Sequence, residues 1–325
     1  MTHQALICFL IAVSTCVATA VQASAQDVVA FQEVKILSSI DGTEQLSRVY
    51  LPAASAPKPL LVFLHSWSSG VAQDNSRWLD LAKQRGWAFL QPDFRGKNNR
   101  PEACGSELAR QDILDAIAHV LSKANIDRSR IYLAGTSGGG HMSMLMASYY
   151  PNKFSAVSSW VGISDLEKWH TTTQSKPETA HYAKELEKCI GGAPGTSDAV
   201  RTELLQRSPI YHLARAVNVP LDICTGVRDG HTGSVPVSQS IEAFNVILRA
   251  KGKAEIPNDE IQKWTAAGAE ERDYSAAIED ASYSRKILFR SQADHARLTI
   301  FDGAHEDLPE AGLTFLEAIR RQTNW

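Results

Sequence analysis

Excess charge of one sign, metal-binding spacings and long apolar runs are what this 325-residue chain has least of. Its formal net charge is −3, with both signs mixed throughout. That balance offers no basic face to nucleic acid and no acidic tail, and leaves a neutral or small substrate as the expected partner. There is no His-x-x-x-His pair, no Cys-x-x-Cys and no Gly-x-x-x-x-Gly-Lys-[Ser/Thr]. A zinc site, a metalloprotease helix and a phosphate-cradling loop are therefore not expected, and neither is a metal or cofactor. Beyond the N-terminal tract no stretch is apolar enough to cross a bilayer. Internal repeats and low-complexity segments are also absent.

The N-terminal tract, Ala5 to Val21, has the length of a secretory apolar region, and Ala23-Ser24-Ala25 supplies the small-residue cleavage pattern. Residues 1–25 thus read as a signal peptide and Gln26 as the approximate start of a secreted or periplasmic chain without stable membrane association. Met1-Thr2-His3-Gln4 contributes no Lys or Arg. The alternative of an uncleaved anchor is weaker, because the tract is short for a span and carries Ser14, Thr15 and Thr19. Val13-Ser14-Thr15-Cys16 matches a lipoprotein box only poorly.

Five cysteines are few, and Cys8 and Cys16 fall in the leader. In an oxidising compartment Cys104, Cys189 and Cys224 suggest one disulfide and one buried thiol. Cys224 sits in strand-like Leu221-Asp222-Ile223-Cys224, whereas Cys104 and Cys189 lie in loop-like sequence and are the expected pair.

About 300 residues after the leader suit one large α/β domain, taken here as 26–325. Its organising stretch is Arg130 to His141, an apolar strand-like run broken by Gly135-Thr136-Ser137-Gly138-Gly139 and followed by a helix-like segment, Met142 to Tyr150. A glycine-rich turn capping a helix is the bland explanation. The strand before and the helix after match instead the nucleophile elbow of an α/β-hydrolase, with Ser137 exposed on a tight turn and the Gly138 amide placed for an oxyanion.

Strands are expected at Phe31 to Ser38 and Gln45 to Leu51, joined by Asp41-Gly42, then at Leu60 to Leu64, a continuous apolar run buried on both faces. The loop His65 to Gly70 follows at the carboxyl end of that strand, where ligands bind in open α/β sheets. It is expected to supply the second oxyanion N–H from Trp67, with Ser66 as the alternative; the His65 side chain only fills space. A helix at Trp78 to Arg85, a strand at Trp87 to Gln91, a helix at Glu107 to Ala124 and a strand at Ser155 to Val161 imply a mainly parallel sheet.

Residues 162–215, which include Trp169, lose periodicity and form a first insert, suited equally to a lid or side wall over the site and to a purely structural flap. A strand at Leu221 to Thr225 and a helix at Val237 to Ala250 follow. A second insert, 251–294, shows only a short helix at Asp259 to Ala266, and Arg297 to Phe301 is the last strand before a closing helix from Glu306 to Arg321.

A serine nucleophile needs a base, and the base an orienting acid. In this fold the chain order is Ser, Asp or Glu, His. Ser137, Asp229 and His305 each occupy a loop just beyond a strand. Asp222 lies inside a strand, and Asp302 is too near His305 to sit on a separate loop. Of ten histidines, His305 alone occupies the turn between the last strand and the last helix; His141, one helical turn past Ser137, is expected near the substrate pocket with Ser66 and Trp169.

The segments Gly135 to Gly139, Arg207-Ser208-Pro209-Ile210, Gly226-Val227-Arg228-Asp229 with Val235-Pro236, and Gly303-Ala304-His305 resemble the catalytic domain of the prolyl oligopeptidase family and its esterase relatives. The resemblance implies a serine hydrolase with Ser137, Asp229 and His305 as its triad. Here the stretch from Asp229 to Val235-Pro236 is longer than the usual family pattern. No N-terminal propeller precedes the hydrolase domain, so an esterase acting on an acetyl or aromatic ester, such as that of a polysaccharide, is expected before a peptidase on short peptides. A catalytically dead binding protein is the remaining alternative.

Overall fold

The computed structural model describes residues 1, 31–53, 55–267 and 278–321. The leader tract at 5–21, the cleavage pattern at 23–25, Cys8 and Cys16 lie outside the described residues. All elements below belong to the unit from Phe31 to Trp325.

The chain opens with β1 (Gln32–Leu37), β2 (Glu44–Tyr50) and β3 (Lys58–Leu64), then α1 (Ser76–Gln84), β4 (Ala88–Pro92) and α2 (Glu107–Lys123). The middle holds β5 (Ile126–Thr136), α3 (Gly138–Tyr149), β6 (Ala156–Trp160), α4 (Leu166–Gln174), α5 (Ala180–Ile190) and α6 (Asp198–Arg207). It closes with β7 (Leu221–Gly226), α7 (Val237–Ala250), α8 (Asn258–Ala267), β8 (Ile287–Ala293), β9 (Ala296–Phe301) and α9 (Pro309–Glu317). The strands form one sheet in the order β1-β2-β4-β3-β5-β6-β7-β9-β8. The run from β4 through β3, β5, β6 and β7 to β9 is parallel, and β1, β2 and β8 are the antiparallel edges. This is the α/β-hydrolase architecture.

Alternation along β3 explains the two layers of helices. Leu60, Val62 and Leu64 face one core with Ile113, Met144 and Phe244 of α2, α3 and α7. Leu61 and Phe63 face the other with Trp78 of α1 and Leu313 and Leu316 of α9. A strand covered on both sides has no polar face to show, so it reads as an unbroken apolar run.

Four local expectations differ from the structure. α3 begins at Gly138, directly after the serine, although three glycines there favour a later start. They are present because the helix must touch the sheet: a Cβ on Gly139 would lie 2.1 Å from the Leu64 carbonyl oxygen, and one on Gly140 2.6 Å from that of Trp160. The second insert contains β8, an edge strand whose central residues are only partly buried and so lack an apolar signature. The first insert is mostly helix, as α4, α5 and α6. α9 is shorter than the expected 306–321, because Pro309 sits in its first turn.

Candidate active site

Ser137 stands at the carboxyl end of β5 with φ +60° and ψ −116°, a conformation non-glycine residues rarely adopt. Such backbone costs on the order of 1–3 kcal/mol and persists only where its surroundings enforce it. Here the Ser137 amide donates to the Trp160 carbonyl at 2.8 Å, and the Ser137 carbonyl accepts from the His141 amide at 2.9 Å. Gly135 is required below the turn, since a Cβ there would lie 2.4 Å from the Gly139 backbone.

Asp229 follows β7 and His305 follows β9, so serine, acid and base all emerge from the same end of neighbouring parallel strands. His305 Nδ1 lies 2.7 Å from Asp229 Oδ2. A carboxylate can only accept, so Nδ1 carries the proton and Nε2 is left as the acceptor a general base requires. The other carboxylate oxygen of Asp229 accepts from the amides of Gly230 at 2.9 Å and Val235 at 3.1 Å. Those bonds close the long loop after β7 over the Asp229 and His305 pair. Gly233 packs so tightly there that a Cβ would lie 2.2 Å from Asp229 Oδ1 and 2.6 Å from His305 Cβ. Asp229 is buried, whereas the His305 side chain keeps 26% of its surface exposed.

The base loop is also tied to the serine strand. The Thr136 hydroxyl, one residue before the nucleophile, donates to the Asp307 carboxylate, two residues past the histidine. Gly226 lets the base turn cross the end of β7, because a Cβ there would lie 2.1 Å from the Ala304 carbonyl oxygen.

In the loop after β3 the amides of Ser66 and Trp67 differ in what they bond. The Ser66 amide donates to Gln73 Oε1 at 2.8 Å and its hydroxyl to the Thr136 carbonyl at 3.2 Å. Among the described residues the amides of Trp67 and Gly138 donate to no protein acceptor. They stand together, since a Cβ on Gly138 would lie 2.4 Å from Trp67 N. Two free N–H groups beside a strained serine form the geometry that stabilises an acyl-transfer oxyanion.

His141, Trp169 and the two loop cysteines are all buried. His141 is buried, bonds the Arg207 carbonyl through Nε2 at 2.8 Å, and has its pKa pushed down to about 4, chiefly by burial. Trp169 is 1% exposed and donates through Nε1 to the Ser234 carbonyl at 2.8 Å, bracing the acid loop instead of meeting substrate. Cys104 and Cys189, expected as a disulfide, lie against each other in one apolar cluster as buried free thiols. Burial, and then the neighbouring Cys189, push the Cys104 thiol well up. Cys224 is the buried strand residue expected.

The competing acids are occupied elsewhere. Asp222 is buried against Arg297 Nε at 2.6 Å, and Asp302 pairs with Arg228. His65 is buried, stacked on Phe94 with ring centroids 3.9 Å apart, and burial pushes its pKa down. Among the described residues no group of three or more His, Cys, Asp and Glu is arranged to hold a metal ion.

The pattern defining the prolyl oligopeptidase family matches residues 74–259, a span that includes Ser137 and Asp229. The chain belongs to the prolyl oligopeptidase family. Members of this family are serine hydrolases, and the relatives of this chain include both peptidases and esterases. It is 27% identical over 203 residues to dipeptidyl peptidase family member 6 of Caenorhabditis elegans, covering 58% of this chain and 26% of that one. It is 33% identical over 130 residues to feruloyl esterase B of Neurospora crassa, covering 35% of this chain and 43% of that one. The acylaminoacyl peptidase of Pyrococcus horikoshii superposes with a TM-score of 0.60 at 19% identity, over 92% of this chain and 44% of that one. That likeness shows the fold. The chain spans about a quarter of the length of the dipeptidyl peptidase relative.

Proposed function

We propose that this serine hydrolase is an exported carboxylesterase that cleaves acetyl or aromatic acyl esters of saccharides through an acyl-enzyme. Ser137 attacks the ester carbonyl, and His305 Nε2 takes its proton and returns it to the departing alcohol. Asp229 holds the imidazole and balances its transient positive charge, while the amides of Gly138 and Trp67 hold the oxyanion. The bond of 2.7 Å between His305 Nδ1 and Asp229, together with the strained backbone of Ser137, carries the reading. The ester preference is supported by the feruloyl esterase relative, whose 33% identity exceeds the 27% of the dipeptidyl peptidase relative. Export is supported by the apolar tract and small-residue pattern at 5–25.

Labelling with an active-site serine phosphonate tests the nucleophile. The native protein should label and Ser137→Ala should not, with turnover lower by about a thousandfold or more. A native protein that does not label refutes the serine mechanism. A panel of acetylated and feruloylated saccharides beside aminoacyl amides tests the substrate class, and activity confined to the amides refutes the ester reading. N-terminal sequencing of the mature protein, expected to begin near Gln26, tests export.

A further inference from the structure

The α5 helix lies against the oxyanion loop, and its exposed groups have no part in the chemistry above. Ser68 follows Trp67 directly, and its hydroxyl donates to Glu185 Oε2 of α5 at 3.1 Å. Glu185 is half-buried, and among the described residues it has no ion-pair partner. Glu187, two residues on, is bonded to Lys184 at 2.9 Å and to His170 at 3.0 Å. Glu185 therefore keeps its other carboxylate oxygen for a further donor.

An aromatic run begins at the same loop. The ring of Trp67 lies 4.6 Å from that of Trp169, which lies 5.5 Å from that of Tyr182. The ring of Tyr182 lies 3.9 Å from that of His181 at the surface. Tyr182 precedes Glu185 by three positions, so both project from one side of the helix. Half-buried Tyr182 and exposed His181 thus form the outer end of a run of edge-on and tilted rings that starts at Trp67.

We propose that Tyr182, His181, Glu185 and Ser68 form a saccharide subsite of this hydrolase, which receives the sugar bearing the scissile ester. The proposal rests on the ester reading above and assigns its alcohol side. An aromatic face packs against the C–H face of a pyranose, and a carboxylate accepts short, charge-assisted bonds from sugar hydroxyls. A few polar groups set among rings is the usual composition of a small-molecule site. The carboxylate already accepts from a neutral hydroxyl, as it would from a sugar. Lys184 and Lys188 flank Glu185 in the same helix and oppose a cationic peptide terminus.

The test compares kcat/KM for an acetylated xylo-oligosaccharide with that for p-nitrophenyl acetate, which carries no sugar, in the native protein, Tyr182→Ala and Glu185→Gln. The ratio of the two should fall about tenfold in each variant, mainly through KM for the oligosaccharide. A constant ratio overturns the subsite, and so does a preference for aminoacyl amides that Glu185→Gln abolishes. Failure of the ester reading itself is seen separately, as a native protein that turns over neither ester. Calorimetric titration of Ser137→Ala with underivatised xylo-oligosaccharide then tests the subsite alone. Binding that is lost on adding Tyr182→Ala supports it, and absence of binding overturns it.

Discussion

Replacing Gly233 with alanine adds one methyl group to the back of the acid and base pair. The new Cβ would lie 2.2 Å from Asp229 Oδ1 and 2.6 Å from His305 Cβ. Relaxed contacts between such atoms are about 3.5–4.0 Å, so the pair and the loop must separate by roughly 1 Å. Asp229 cannot yield freely, because the threatened oxygen accepts from Gly230 at 2.9 Å and Val235 at 3.1 Å. A shift of about 1 Å in a catalytic group costs on the order of a hundredfold in rate, or about 2.7 kcal/mol of barrier. Gly233→Ala should therefore lower kcat on p-nitrophenyl acetate about a hundredfold while KM changes little. Gly252→Ala is the control: its φ is +65° and nothing lies within 4 Å of a Cβ there. It should cost about 1–2 kcal/mol of stability through left-handed strain and leave kcat alone. Steady-state kinetics with thermal melts of both variants decide the matter. A folded Gly233→Ala protein within twofold of native kcat refutes the packing of this loop on the pair.

His141 predicts the acid response of stability. Burial pushes its pKa down from 6.5 to about 4, so the unfolded chain takes up a proton over that range that the folded chain refuses. Stability should be complete above pH 6.5 and decline as pH falls towards 4, with a loss from this group of about 2 kcal/mol by pH 5. Denaturant melts of His141→Gln, which keeps a donor for Arg207, should show a shallower decline; an unchanged slope refutes the assignment. His65 and His212, whose pKa values burial also lowers, would sustain the remaining slope. The Thr136 and Asp307 bond predicts non-additive kinetics, because both residues act through one contact between the elbow and the base loop. Thr136→Val and Asp307→Asn should each lower kcat about tenfold, and the double variant no further. Multiplying effects would show that the two residues act independently.

Much of this site is legible in the chain because its chemistry sits where local patterns change. Apolar runs that stop at turn residues place Ser137, Asp229 and His305 just beyond strands, and chain order assigns their roles. The same logic fails where a pattern has two causes. Three glycines after Ser137 read as a delayed helix, yet they are the close approach of α3 to β3 and β6. β8 escapes notice because a half-exposed edge strand has no continuous apolar run. His141 and Trp169 are both buried, and whether a side chain near a strand end is open or braces a loop depends on what covers it.

The alternation of strand and helix, the glycine-flanked Ser137 turn and the positions of Asp229 and His305 just beyond strands follow from side-chain period and backbone preference over a few residues. Which loop amide is left without a protein acceptor follows from packing alone, because Gln73 accepts from Ser66. The tertiary structure alone joined Thr136 to Asp307, 171 residues apart, and laid Gly233 on the catalytic pair. It also set Glu185 beside Ser68 across 117 residues. Such contacts leave no local period to read, because they exist only when the sheet has brought the ends of its strands together.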